Sequence, residues 1–290
     1  MKKYILSLLT CAIALSATAQ EETSTSNAPV SKKGKAILPA AGDIAVGVDA
    51  LPYINFAGNM FNGYGTTGAQ NTLNVGSTTI YGKYYLSSDA AVRVELYLNN
   101  SKDQNTAYVQ DDNQVDDNPD AQVEDLQIIN RNDVGIGVGF QKYRGYDRLR
   151  GTYGAVLSYY RFRNVTEYTW GNQMNDVNST PTSTNWYGAG TQPASRDLMV
   201  DNDLTQTFSL GLIGGVEYFF LPKVCIGGEA GIYLNYTMNS QADKTYETIE
   251  QGIYREKDLA TSPEDNFFSL TTQVYDAARV AGRLYILFHF

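Results

Sequence analysis

The sequence predicts an all-β fold: a transmembrane, antiparallel, up-and-down β-barrel of eight strands, with ten as the alternative count. Three observations carry this. Eight segments alternate apolar and polar residues at period two. The connections between them are by turns tight and long, as in a membrane barrel, where closed strands alone satisfy every backbone group in lipid. All eight prolines (Pro29, Pro39, Pro52, Pro119, Pro181, Pro193, Pro222 and Pro263) fall in the leader, loops, turns or a strand end, where a missing N–H does no harm.

Residues 1–19 read as a secretory signal peptide, with Lys2 and Lys3, an apolar run over 5–15, and Ala17-Thr18-Ala19 as the cleavage site. Lipoprotein processing at Cys11 is the alternative, but Thr10 stands where a smaller residue is wanted. Losing Lys2 and Lys3 takes the formal charge from −9 to −11, which argues against nucleic acid or anionic lipid as a partner. Only Cys225 then remains, and it cannot form an internal disulfide. No later apolar run approaches the ~20 residues of a membrane-spanning helix. Residues 20–41, rich in Ser, Thr, Glu, Lys and Pro, read as a flexible periplasmic leader. Residues 42–290 are the barrel with its long extracellular loops.

The first strand, 43–50, sets Ile44, Val46 and Val48 against Ala45, Gly47 and Asp49. After a Gly- and Asn-rich loop to about Val75, the second, 78–86, sets Ile80, Tyr84 and Leu86 against Lys83. Ser87-Ser88-Asp89 turns into the third, where Val92, Val94, Leu96 and Leu98 oppose Arg93, Glu95, Tyr97 and Asn99. An acidic second loop is expected over 101–132. The fourth strand, 133–143, alternates Val134, Ile136, Val138 and Phe140 with Gly135, Gly137 and Gly139. The fifth, 149–163, puts Tyr153, Ala155, Leu157 and Tyr159 outward and Arg150, Thr152, Ser158 and Tyr160 inward. A third loop runs to about Asp203, and the sixth strand, 204–219, opposes Phe208, Leu210, Leu212 and Val216 to Thr205, Thr207, Ser209 and Glu217. Leu221-Pro222-Lys223 turns into the seventh, with Val224, Ile226, Ala230, Ile232 and Leu234 outward and Cys225, Glu229 and Tyr233 inward. A fourth loop, 238–265, precedes the last strand, 278–290, whose Leu284, Ile286, Phe288 and Phe290 oppose Arg279, Arg283 and His289. The first, third and fourth loops are long enough to hide another hairpin.

The inward charges form the candidate site. Lys83, Arg93, Glu95, Glu217, Glu229 and Arg283 lie four to seven residues above the tight turns, with Asp49 and Arg150 near the same height. They should share a layer roughly 8 Å thick. The expected pairs are Glu229 with Arg283, Glu217 with Arg150, and Lys83 and Arg93 with Glu95 and Asp49. So paired, they close the lumen, and Gly135, Gly137, Gly139 and Gly227 leave room for their long side chains.

The signal sequence, the eight segments and the terminal Leu284-Tyr285-Ile286-Leu287-Phe288-His289-Phe290 resemble the small outer-membrane β-barrel proteins of Gram-negative bacteria, of the OmpA-like membrane-domain type. The resemblance covers residues 42–290. It implies a location in the cell outer membrane, lipid as the surround, and a lumen plugged by charges. It also implies that Phe288 and Phe290 carry the signal read by the barrel-assembly machinery during insertion. No peptidoglycan-binding domain is expected after the barrel, so no cell-wall anchoring role is carried over from the resemblance.

His289, the sole histidine, stands at the periplasmic rim, away from the outer half where hydrolases of small barrels place theirs, so no enzyme is expected. No catalytic, cofactor-binding or metal-ligating residues are assigned. The acidic loop, including Asp111, Asp112, Asp116, Asp117, Asp120 and Asp125, lacks EF-hand spacing and reads as a solvated loop rather than a Ca²⁺ site. Tyr168, Trp170, Trp186 and Tyr187 are either a sugar- or protein-stacking surface, self-packing of a long loop, or part of an aromatic belt. The expected function is structural or surface-interacting, with loops offered to a surface protein or polysaccharide. A narrow porin-like channel and an accessory subunit of an export or assembly complex are the alternatives.

Overall fold

A computed structural model describes residues 29–54, 77–186, 195–272 and 282–290, less Lys33, Lys35, Pro52, 115–117, Pro119 and Tyr146. The expected signal peptide and most of the first long loop lie outside the described residues, as do Ala278, Arg279 and Val280 of the last strand and Tyr187.

Eleven strands are described: β1 (Ile44–Asp49), β2 (Ser77–Ser87), β3 (Ala90–Gln110), β4 (Gln122–Arg144), β5 (Leu149–Thr169), β6 (Ser195–Leu221), β7 (Val224–Asn239), β8 (Asp243–Glu250), β9 (Ile253–Ala260), β10 (Phe267–Thr271) and β11 (Gly282–His289). All their pairings are antiparallel. β1 to β7 pair in sequence order, and β11 lies between β7 and β1, so eight strands close into a ring. The closing seam runs from Ala45 opposite His289 to Asp49 opposite Tyr285, and Ile44 and Phe290 exchange backbone hydrogen bonds.

β8, β9 and β10 add to the ring without enlarging it. β6 is long enough to serve two partners: its lower part pairs with β7 from Thr205 to Leu221, and its upper part, Ser195 to Asp201, pairs with β8. The fourth loop does contain a hairpin, but it docks on this upper edge instead of entering the ring. Its turn is two residues, Gln251 and Gly252, both at positive φ (53° and 78°), which matches the twist of the flanking strands. β10 and β11 follow one another along the same flank of β7, opposite residues 233–237 and 224–230.

The expected acidic loop over 101–132 is mostly strand. β3 and β4 pair without a break from Ala90 opposite Lys142 to Gln110 opposite Gln122. Alternation marks a strand only where one face is apolar. Above Leu98 both faces meet polar surroundings, so pairing continues after the sequence signal has stopped.

The outer face carries an apolar belt. On β5 it runs from Leu149 to Tyr159 and on β6 from Phe208 to Phe220, with Leu210, Leu212, Leu157 and Ile136 exposed. At about 3.3 Å per residue and a tilt near 40°, the β5 stretch is about 25 Å tall. Its upper border is a row of four aromatic rings at one register, Tyr159, Phe208, Tyr236 and Phe268. Adjacent rings lie 4.9 Å apart for Tyr159 and Phe208 and 4.5 Å for Tyr236 and Phe268. One step higher the outer face of β5 and β6 turns polar, with Arg161 opposite Gln206, while β3 and β4 still carry Leu98 opposite Val134 and turn polar a step later, with Asn100 opposite Asn132.

The described part of the expected flexible leader is tied down. Val30 bridges to Ala36, Ile37 N–H donates to the Pro29 carbonyl, and Lys223 N–H donates to the Ile37 carbonyl. The Ile37 side chain is 1% exposed and packs with Tyr81, Phe219, Cys225, Tyr285 and Leu287 in the lower interior of the ring. Ile37 and Leu38 are the apolar pair of a polar segment, and the ring mouth is where that surface can leave water.

Candidate functional site

The phase of each strand delivers the site. Because side chains alternate, Tyr81, Lys83 and Tyr85 on β2 and Arg93, Glu95 and Tyr97 on β3 point inward. So do Glu217 on β6, Glu229 on β7, and Arg283 and Tyr285 on β11. Three cations and three carboxylates from five strands meet there.

Arg93 is the centre. Its guanidinium makes two hydrogen bonds to Glu229, of 2.7 and 2.9 Å, and reaches Glu95 Oε1 at 2.7 Å. Arg283 bonds the other Glu95 oxygen at 2.5 Å and lies 3.7 Å from Glu229. Lys83 Nζ bonds Glu217 Oε1 at 2.5 Å, and the Tyr285 hydroxyl donates to the same oxygen at 2.9 Å. Lys83 also donates to the Tyr143 hydroxyl at 3.2 Å, which in turn donates to Gln141. Nearly all these groups are buried, and Arg283 alone has a partly open side chain. Each carboxylate has a cation partner, which such burial demands.

Several expected pairings are not made. Arg150 is the register partner of Glu217, yet its guanidinium lies 4.6 Å from the Tyr143 ring centroid and donates to the Ser88 carbonyl. Glu217 is already engaged by Lys83 and Tyr285. Asp49, at the end of β1, turns its carboxylate to the Leu51 N–H at 3.0 Å, capping the departing chain instead of joining the layer. Glu229 keeps the expected Arg283 at 3.7 Å but has Arg93 as its closer partner, Arg93 also meets the expected Glu95, and Lys83 takes Glu217 in place of Glu95 or Asp49.

The glycines make the site possible. A Cβ at Gly227 would lie 2.2 Å from the Tyr285 ring, one at Gly135 2.3 Å from Tyr160, and one at Gly211 2.3 Å from Tyr233. Inward tyrosines lie flat over glycines of neighbouring strands, which fills the interior without displacing the charges. Sequence reasoning singled out the charges and passed over Tyr81, Tyr143 and Tyr285, although strand phase places them on the same face. Ile37 carried no signal beyond being apolar. His289 is packed between Tyr85 and Phe219, with ring nitrogens 3.0 Å from the Tyr85 hydroxyl and 3.1 Å from the Lys223 carbonyl.

Above the ring, the carboxylates of buried Asp125 and half-buried Asp112 fasten the third loop. Asp125 accepts the N–H groups of Gly171 (2.9 Å) and Thr184 (2.6 Å), and Asp112 accepts Asn178 (2.7 Å) and Thr182 (2.9 Å). Arg196 bonds Glu247 of β8 at 2.8 Å and lies 5.0 Å from the Trp170 ring, which is stacked on Tyr168. Trp170 is therefore packed into the loop it belongs to. Residues expected as a solvated acidic loop are, at Asp112 and Asp125, internal ties. Among the described residues no group of three or more His, Cys, Asp or Glu could hold a metal ion. No family model matches the chain, and no curated protein matches it.

Proposed function

We propose that this chain is an integral outer-membrane β-barrel whose lumen is closed by its charge network and whose upper hairpins and loops form a cell-surface face. The observation that carries the reading is the outer belt. A band about 25 Å tall on β5, continued by apolar outer residues on the neighbouring strands, edged by aromatic rings on β5, β6, β7 and β10 and succeeded by polar residues within two steps, fits the hydrocarbon layer and its interface. A protein surrounded by water rarely exposes so large a contiguous apolar surface. The interior argues for a structural or interaction role over conduction: an eight-stranded ring is only wide enough for side chains, and here three ion-paired carboxylates cross it.

In this reading the partners are outer-membrane lipid around the belt, the barrel-assembly machinery acting on the closing strand with Phe288 and Phe290, and a surface protein or polysaccharide at the fastened loops. Both phenylalanines are exposed on the outer face beside the seam. The test is electrophoresis of the detergent-extracted envelope protein, unboiled against boiled. A barrel that resists the detergent cold migrates differently after boiling; a protein that leaves the cell envelope with the soluble fraction and shows one mobility ends the proposal.

A further inference from the structure

The ring interior is closed twice, by two devices of different kinds. The charge layer ties five strands to one another through buried ion pairs, and it cannot part without separating charges inside the ring. Below it the closure is made by the segment ahead of β1. Ile37 enters the mouth on the tight-turn side and packs with Phe219, Cys225, Leu287, Tyr81 and Tyr285. The chain then leaves by way of Gly42, whose N–H donates to the Tyr85 carbonyl, and Asp43, paired with Lys223.

We propose that residues 36–41 are a detachable stopper for this mouth, with Ile37 as its tip, acting in series with the charge layer. Among the described residues the ring strands hold the tip through one backbone hydrogen bond, from Lys223 to the Ile37 carbonyl, and the apolar contact of Ile37, with the partly buried Leu38 packed beside it. No strand of the ring depends on the segment for its pairing, since β1 is paired on both sides from Ile44 onward. Withdrawing it exposes a blind apolar chamber that ends at Lys83 and Glu217 and contains the buried thiol of Cys225. The periplasmic placing of that mouth rests on the proposed membrane reading; the stopper itself does not.

Cys225 is the built-in reporter. The full chain, folded in detergent, is treated with a charged, water-soluble thiol reagent, and a Cys225→Ser variant identifies which label belongs to this site. The thiol should resist in the wild type and in Ile37→Val, and react at least tenfold faster in Ile37→Asp, with ring closure monitored by the cold mobility of each variant. Deleting residues 29–41 should have the same effect, and is the variant to read if Ile37→Asp does not fold. The stopper is refuted if the folded wild type already labels as fast as denatured protein, or if neither variant that folds raises the rate. A water-soluble protein without a mobility shift that nonetheless shows this labelling pattern would end the membrane reading and leave the stopper standing.

Discussion

Tyr285 shows how tightly the interior couples packing to charge. Its ring occupies the space above Gly227 while its hydroxyl holds the Glu217 oxygen that also receives Lys83. Gly227→Ala should therefore destabilise the protein by about 1–3 kcal/mol through overpacking, whereas Gly214→Ala, on the outer face with its nearest neighbour 3.9 Å away, should stay within about 0.5 kcal/mol. Denaturant midpoints of the two variants side by side check this, and equal midpoints would contradict the close packing. Glu229 offers a second comparison. Glu229→Ala strands Arg93 with one of its two carboxylates and should cost about 3–5 kcal/mol. Asp201→Ala breaks the half-exposed pair with Arg163 and should cost no more than about 1 kcal/mol. Comparable losses at the two positions would mean that water reaches the layer freely.

At the scale of elements, the third loop behaves as part of the β3–β4 hairpin because Asp112 holds it. Burial alone would raise the Asp112 pKa, but hydrogen bonds from the Asn178 side chain and from Thr182 outweigh it and hold the carboxyl below its ordinary value of 3.8. A lowered folded value means that the contribution is complete above the ordinary value and fades as pH falls through the lower, folded one. Protease resistance of residues 172–184 should hold from neutral pH down to about 4 and decline only in stronger acid, and Asp112→Ala should lose it at neutral pH. Resistance that already fades near pH 6 would point to a different tie. This fastening was illegible in the sequence for the same reason that the upper strands were. Period-two alternation records the difference between the two faces, and it exists from Val92 to Leu98 but not from Asn100 to Thr106, where both faces are polar. The lower strands, their phase and the charge layer were legible because burial imprints them. Partner choice within the layer was not, since strand phase puts Lys83, Arg93, Arg150 and Arg283 on one face with the carboxylates without ranking them, and Tyr143 and Tyr285 engage Arg150 and Glu217.

For the whole molecule the decisive quantity is what surrounds the belt, and an exposed residue can report it. Leu212 is 69% exposed, in the middle of the β6 belt and opposite Ala155 and Ile232. In water, Leu212→Arg would remove little packing and introduce a solvated charge, so stability should change by no more than about 0.5 kcal/mol. In hydrocarbon the guanidinium near mid-height should cost about 2–4 kcal/mol, falling toward 0–1 at the interface. Gln206→Arg is the matched control, on the same face of the same strand but beyond the aromatic row. Refolding both variants from denaturant into lipid vesicles, and repeating the measurement in short-chain detergent, separates the two cases. The membrane reading requires a large loss for Leu212→Arg and a small one for Gln206→Arg in vesicles, with the gap narrowing where a thin, deformable micelle lets the charge reach water. An identical small effect at both positions would mean that the belt faces something other than lipid, and the apolar band would then have to be explained as a protein interface wrapped around the ring.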